Sequence, residues 1–302
     1  MMCKALIVCA LLFVSAPRPA AGAAPRPVAA PAEGRETASL PFDAANNLVV
    51  VAATLNGKGP FRFLLDTGAS HHVLKPEVAR SLGLKLEGAG EIDGGGGPNV
   101  EAALARVAEV SVGGLTLEGQ QFFVTPFPAL YPFDGFLGAE FFRRFAVRVD
   151  FRRSLVTLTR AEAFGYSGKG VGLPVRFEGG SIPRVRAEVD GVAGWFKFDT
   201  GYNGELALFA DFAERHGLPA KYAPRKGGPG GQTLAGEVGD SPVARVRTLG
   251  LGALAAEDVT AAFFPGKGGS NSAFAGAIGT ALLKRFDFTI DFKRRRVIIE
   301  RP

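Results

Sequence analysis

Two stretches of the chain alternate apolar and polar positions with a period near two, and both end in the same tripeptide. The first, LVVVAATLNGKGPFRFLLDTG, runs from Leu48 to Gly68; the second, IPRVRAEVDGVAGWFKFDTG, runs from Ile182 to Gly201. A period of two predicts β-strands. The dipeptides Asn56-Gly57 and Asp190-Gly191 predict a tight hairpin inside each stretch. Beyond the tripeptides, LKPEVARSLGL (Leu74 to Leu84) and LFADFAERHGL (Leu208 to Leu218) read as short helices closed by Gly83 and Gly217.

The agreement extends over most of the chain. Leu40-Pro41 matches Leu173-Pro174, and DGFLGAEFFRRFAVRVDFRRSLVTL (Asp134 to Leu158) matches AGAIGTALLKRFDFTIDFKRRRVII (Ala275 to Ile299) without a gap. A repeat this long predicts duplication. It divides the folded part into two mostly β lobes, residues 40–165 and 166–302, joined near Arg160 to Gly172. Residues 24–39 are rich in Pro and Ala without periodicity, so they read as a flexible leader, with folding expected to begin near Leu40.

Composition narrows the class. A chain of 302 residues that is 47% hydrophobic is long enough to bury real cores and is not disordered. Residues 1–23 combine Lys4, a short apolar run and Ala21-Gly22-Ala23, the pattern of a cleaved secretory signal. Secretion or a periplasmic location is therefore expected, with no membrane anchor. Cys3 and Cys9 both fall inside that segment, which excludes a disulfide or a thiol nucleophile from the mature chain. Loss of Lys4 and Arg18 takes the formal charge from +6 to +4, too little for a nucleic-acid footprint. The basic run Lys293 to Arg296 lies between strand-like segments and reads as a solvated turn.

The repeated tripeptides, Asp66-Thr67-Gly68 and Asp199-Thr200-Gly201, carry the chemistry. Each is followed later in its lobe by an apolar-apolar-Gly segment, Phe136-Leu137-Gly138 or Ala277-Ile278-Gly279. At these points the sequence resembles the aspartic peptidases of the pepsin and retropepsin type over nearly the whole chain after Leu40. The resemblance implies a mainly β, bilobal acid-protease fold: two pseudo-symmetric, retropepsin-like β-barrel lobes with short helices. It also implies that Asp66 and Asp199 meet at a pseudo-two-fold axis and that Thr67 and Thr200 brace the loops. Two carboxylates within reach of each other share one proton, so one is a base toward water while the other is an acid. Gly68 and Gly201 let the backbone approach the carboxylates closely.

The remaining expectations concern substrate and partners. In the family a glycine-rich hairpin closes over the substrate as a flap. Gly88 to Pro98, with Gly94, Gly95, Gly96 and Gly97, occupies that slot in lobe one, and Gly227 to Gly231 occupies it in lobe two. His71 and His72 are read as filling the strand after the catalytic turn, not as zinc ligands, and no metal or cofactor is expected. Pepsin-like lobes place Ser or Thr three residues after each catalytic Asp; here those positions hold Ala69 and Tyr202, and the Tyr202 ring is expected to narrow the cleft or face outward. The reading is a monomeric aspartic endopeptidase acting on peptide or protein substrates. The alternative is a catalytically inactive peptide-binding protein of the same fold.

Overall fold

The computed structural model describes residues 12–13, 34–94, 98–128, 131–226, 231–238, 241–264 and 273–301. The expected signal and leader, apart from Leu12–Phe13 and the residues after 33, lie outside the described residues. Gly95 to Gly97 and Gly227 to Gly230 lie outside them too.

The predicted hairpins form. Strands Val50–Leu55 and Lys58–Leu65 turn at Asn56 and Gly57, with φ of 50° and 74°; strands Ile182–Val189 and Val192–Phe198 turn at Asp190 and Gly191, with φ of 45° and 86°. Positive φ at both central residues gives the turn a twist that matches its strands. In each lobe six strands close into a barrel. The closing pairs include Thr54 opposite Ser111 in lobe one and Val189 opposite Leu249 in lobe two. The architecture is thus mainly β and bilobal, with helices of four to seven residues, such as Pro76–Leu82, which ends at Gly83 in the left-handed conformation.

A third sheet joins the barrels. It has six strands, three from each lobe, ordered Val171–Pro174, Arg296–Glu300, Asp287–Asp291, Phe145–Asp150, Leu155–Arg160 and Thr37–Pro41. At its centre Val147 pairs with Ile290, Arg148 with Thr289 and Val149 with Phe288. Arg148 and Thr289 occupy equivalent positions in the repeat, so this pairing is self-complementary about a local two-fold, as in an isologous dimer interface.

The folded chain begins earlier than expected. Thr37–Pro41 is a full strand of the joining sheet, with Thr37 and Ser39 hydrogen-bonded through their side chains to Thr159 and Thr157, and Ala38 and Leu40 buried on the other face. Thr-Ala-Ser-Leu alternates with the strand period, but its partner lies about 120 residues away and only the fold brings it near.

Candidate active site

The strand before each Asp-Thr-Gly is held in the barrel by its neighbours. Lys58–Leu65 runs parallel to Gly135–Leu137, and Val192–Phe198 runs parallel to Gly276–Ile278. The Asp66 N–H then donates to Leu137 O and the Asp199 N–H to Ile278 O, each at 3.0 Å. The apolar-apolar-Gly segments are therefore the backbone rests of the two loops. Each carboxylate accepts a bond from the glycine of its own turn, Gly68 N–H to Asp66 Oδ1 at 2.8 Å and Gly201 N–H to Asp199 Oδ1 at 3.0 Å.

The threonines lock the loops together. Thr67 N–H donates to Thr200 Oγ1 and Thr200 N–H to Thr67 Oγ1, both at 3.0 Å, and the hydroxyls donate onward to Phe198 O at 2.5 Å and Leu65 O at 2.7 Å. The clamp leaves little space between the turns. A Cβ on Gly68 would fall 2.5 Å from Asp199 Oδ1, so that position excludes any side chain. Burial raises the pKa of both aspartates. For Asp66 the negative charge of Asp199 adds to burial and the rise is large; for Asp199 the positive charge of Lys197 works against it. Asp66 Oδ2 is buried without a hydrogen-bond partner among the described residues. Two buried carboxyls this close cannot both ionise easily, so the pair holds one proton between them, and Lys197 lies on the strand face of Asp199.

The glycine-rich hairpin of lobe one, with strands Leu86–Ile92 and Val100–Val112, meets lobe two at its tip. Ala235 N–H donates to Gly94 O at 3.2 Å, and a Cβ on Gly94 would fall 2.5 Å from Ala235 Cβ. Ala235 and Leu234 form the turn of a small hairpin, Gly231–Thr233 with Gly236–Val238. Leu234 packs with Ile92, Val50 and Leu64 of lobe one. Leu64 precedes Asp66 by two strand positions and so faces the same side. The two hairpin tips meet on the dyad's side of the molecule. In lobe two the described hairpin turns at Leu234-Ala235, where Leu234 is buried.

Tyr202 neither narrows the cleft nor faces outward. Its side chain is 1% exposed and packs into lobe two with Ile182, Ala207 and Phe209, in space left open by the absent side chains of Gly204 and Gly279. Ala69 is buried and gives Asp66 no hydroxyl, although its backbone N–H reaches Asp66 O at 3.4 Å.

His72 opens the strand His72–Leu74 and is fully buried. Its Nδ1 accepts from Gly138 N–H at 3.0 Å, and Nε2 lies 3.3 Å from Gln120 Oε1, so the ring is neutral with its proton on Nε2. Burial lowers its pKa. His71 Nδ1 pairs with Glu140 Oε1 at 2.6 Å. The histidines thus brace the loop that supports Asp66. No group of three or more His, Cys, Asp or Glu suited to a metal occurs among the described residues.

A family model described as aspartyl protease matches residues 51–141 and 185–282, one segment in each lobe and each containing one Asp-Thr-Gly. The chain belongs to the aspartyl protease family. Its two matched segments correspond to two retropepsin-like lobes on one polypeptide, and membership places its activity in the general class of peptide-bond hydrolysis. No curated protein matches the chain significantly. One residue of this aspartyl protease beside the dyad was missed in reading the sequence: Lys197, buried two positions before Asp199. Aligning the two copies exposes it, because FLLD in lobe one becomes FKFD in lobe two.

Proposed function

We propose that the protein is an aspartic endopeptidase that hydrolyses peptide bonds with a water held between Asp66 and Asp199. The observation that carries this reading is the reciprocal Thr67–Thr200 clamp, which brings Asp199 against Gly68 and couples the two carboxylates. Asp199, with the Lys197 cation on its strand face, takes a proton from the water as the water attacks the scissile carbonyl. Asp66, holding the shared proton, hydrogen-bonds the developing oxyanion and then passes that proton toward the leaving amine. Binding of substrate as an added strand fits the hairpins: the chain's own Leu12–Phe13 pairs antiparallel with Gly231 and Gln232, the edge of the hairpin in lobe two. Entry requires the Gly94–Ala235 contact to open.

The inactive-binder reading rested on Tyr202, and a ring tucked into the interior of lobe two removes that ground. The protein acts as a monomer, after secretion or export to the periplasm, on peptide or protein substrates. The test is incubation of the mature protein with a mixed peptide library at several pH values, with cut sites read by mass spectrometry. Internal cleavage that disappears in Asp66→Asn is expected; no cleavage at any pH, or cleavage unchanged in Asp66→Asn, sinks the proposal.

A further inference from the structure

Side chains two apart on a strand face the same way, so Lys197 shares the face of Asp199 as Leu64 shares that of Asp66. The cross-strand neighbours extend the comparison. Leu64 is paired with Val50, and Lys197 with Arg184. One lobe therefore presents two apolar side chains beside its aspartate while the other presents two cations. The next layer differs in size as well. Val73 opposite Phe136 in lobe one becomes Ala207 opposite Ala277 in lobe two. The smaller pair vacates the volume that the lysine stem needs.

The two cations are held, not trailing in solvent. Lys197 is 4% exposed, the same as Asp199, and its Nζ stands 4.9 Å from the Phe274 ring centroid and 5.7 Å from that of Phe209. Arg184 stacks over Trp195 at 5.6 Å, pairs with Glu178 at 3.0 Å, and donates to Ala273 O at 3.3 Å; its Nε is buried with no acceptor among the described residues. Trp195 lies on the same strand face as Lys197 and Asp199, and Arg176 covers it at 4.6 Å. A buried ammonium, beside a guanidinium whose Nε–H finds no acceptor among the described residues, next to the reacting carboxylate, is a poor surface for an apolar side chain. The two cations suit an anionic oxygen pair.

We propose that Lys197 and Arg184 form a cationic subsite flanking the scissile bond, so that the enzyme selects substrates with a carboxylate side chain, Glu or Asp, on one side of the cut and an apolar side chain on the other. The apolar preference belongs to the pseudo-symmetric wall of Leu64 and Val50. This specificity rests on the endopeptidase reading above. Lys197 acts here as a specificity residue, and the positive charge that lowers the pKa of both aspartates comes from the same group.

The test uses the mature full-length chain and paired peptides that differ only by Glu or Gln at either residue next to the cleaved bond. At one of the two positions Glu is expected to raise kcat/KM about 10-fold or more over Gln, the scale of a charge-assisted hydrogen bond. Lys197→Leu, which copies lobe one, and Arg184→Gln are each expected to reduce that ratio toward one, and Lys197→Arg to keep it. Melting curves separate lost preference from lost fold. Binding of the same peptides to Asp66→Asn supplies a readout independent of cleavage. If the wild type cuts nothing but Asp66→Asn still binds the Glu peptide preferentially, the endopeptidase reading fails and the cationic subsite stands. Equal kcat/KM and equal binding for Glu and Gln at both positions overturn the subsite while leaving the protease intact.

Discussion

Thr67 and Thr200 exchange backbone-to-hydroxyl bonds across the lobe boundary, each N–H finding the other residue's Oγ1 at 3.0 Å. Replacing either threonine by alanine strands a buried N–H on the opposite loop and frees the opposite carboxylate to drift. Each single variant should lose about 1–3 kcal/mol of stability and most activity. The double variant should cost less than the sum, because both singles already break the same exchange. Thr→Ser, which keeps the hydroxyl, should restore most of both. Additive losses in a double-mutant cycle of melting and kinetics would mean the two residues act independently.

The dyad is costly to the fold at neutral pH, which gives it a distinctive signature. Burial raises the folded pKa of Asp66 well above 3.8, with the charge of Asp199 adding to the rise. A raised carboxyl pKa means the protonated form fits the fold best, so its stability is fully present below the unfolded value and is lost as pH rises through the folded one. Asp66→Asn should therefore raise the melting temperature at pH 7 while abolishing cleavage, and the gain should fade near pH 3. Asp199→Asn should abolish cleavage too, and the double variant should be no slower than either single. A neutral-pH melting temperature lowered by Asp66→Asn would contradict the desolvation argument.

The rate profile should follow from the same two shifts. Both carboxyls titrate above their ordinary range, and Ala69 supplies no hydroxyl to lower that of Asp66. A bell centred at roughly pH 4 to 6 is expected, its limbs belonging to the pair. Ala69→Ser should move the bell toward acid, by donating to the ionised carboxylate. Lys197→Met should move it upward, since the lysine charge lowers both groups. An optimum below about pH 2.5, or above about pH 8, would contradict this mechanism.

What the sequence discloses and what it hides follow one physical division. The strands, both Asp-Thr-Gly turns and the duplicated plan are local patterns or local patterns repeated, and they are legible in one dimension. The direction of Tyr202 is not, because the space it fills depends on Gly279, 77 positions later in the chain. The strand at Thr37 needs Thr159 to satisfy it. The hairpin tip in lobe two is defined by contact of Ala235 with Gly94, and no pattern near Leu234 announces it. Lys197 is visible once the copies are aligned, but its pairing with Arg184 requires the strand register.

The joining sheet bears on assembly. Three of its strands come from each lobe, and Phe145–Asp150 lies against Asp287–Asp291 along its centre. The repeat thus supplies on one chain the contact that separate half-enzymes obtain by dimerising. Specific activity should stay constant on dilution, as sedimentation and kinetics would show. Residues 40–165 expressed alone should be inactive, since they hold only one aspartate of the dyad and expose a strand edge where lobe two belongs. Robust cleavage by that fragment at nanomolar concentration would refute a single site shared by both lobes.

His72 sets a limit on the acid side. Its Nδ1 accepts the Gly138 N–H at 3.0 Å, and Gly138 ends the segment on which the Asp66 loop rests. An imidazolium has no lone pair for that bond. Burial lowers the folded pKa below 6.5, with His71 acting in the same direction and Glu140 and Gln120 opposing it. As pH falls below 6.5 the unfolded chain takes up the proton before the folded one does, so the stability held above that value is lost progressively toward the lowered folded pKa. Lobe two avoids the problem: Leu206 occupies the equivalent place, and Gly279 N–H bonds to Glu205 O at 3.0 Å instead. His72→Leu should cost about 1–3 kcal/mol at pH 7, because Gly138 loses its acceptor. It should also flatten the dependence of melting temperature on pH as pH falls below 6.5. Wild type and His72→Leu melting with the same slope across that window would show that the buried imidazole does not control acid stability.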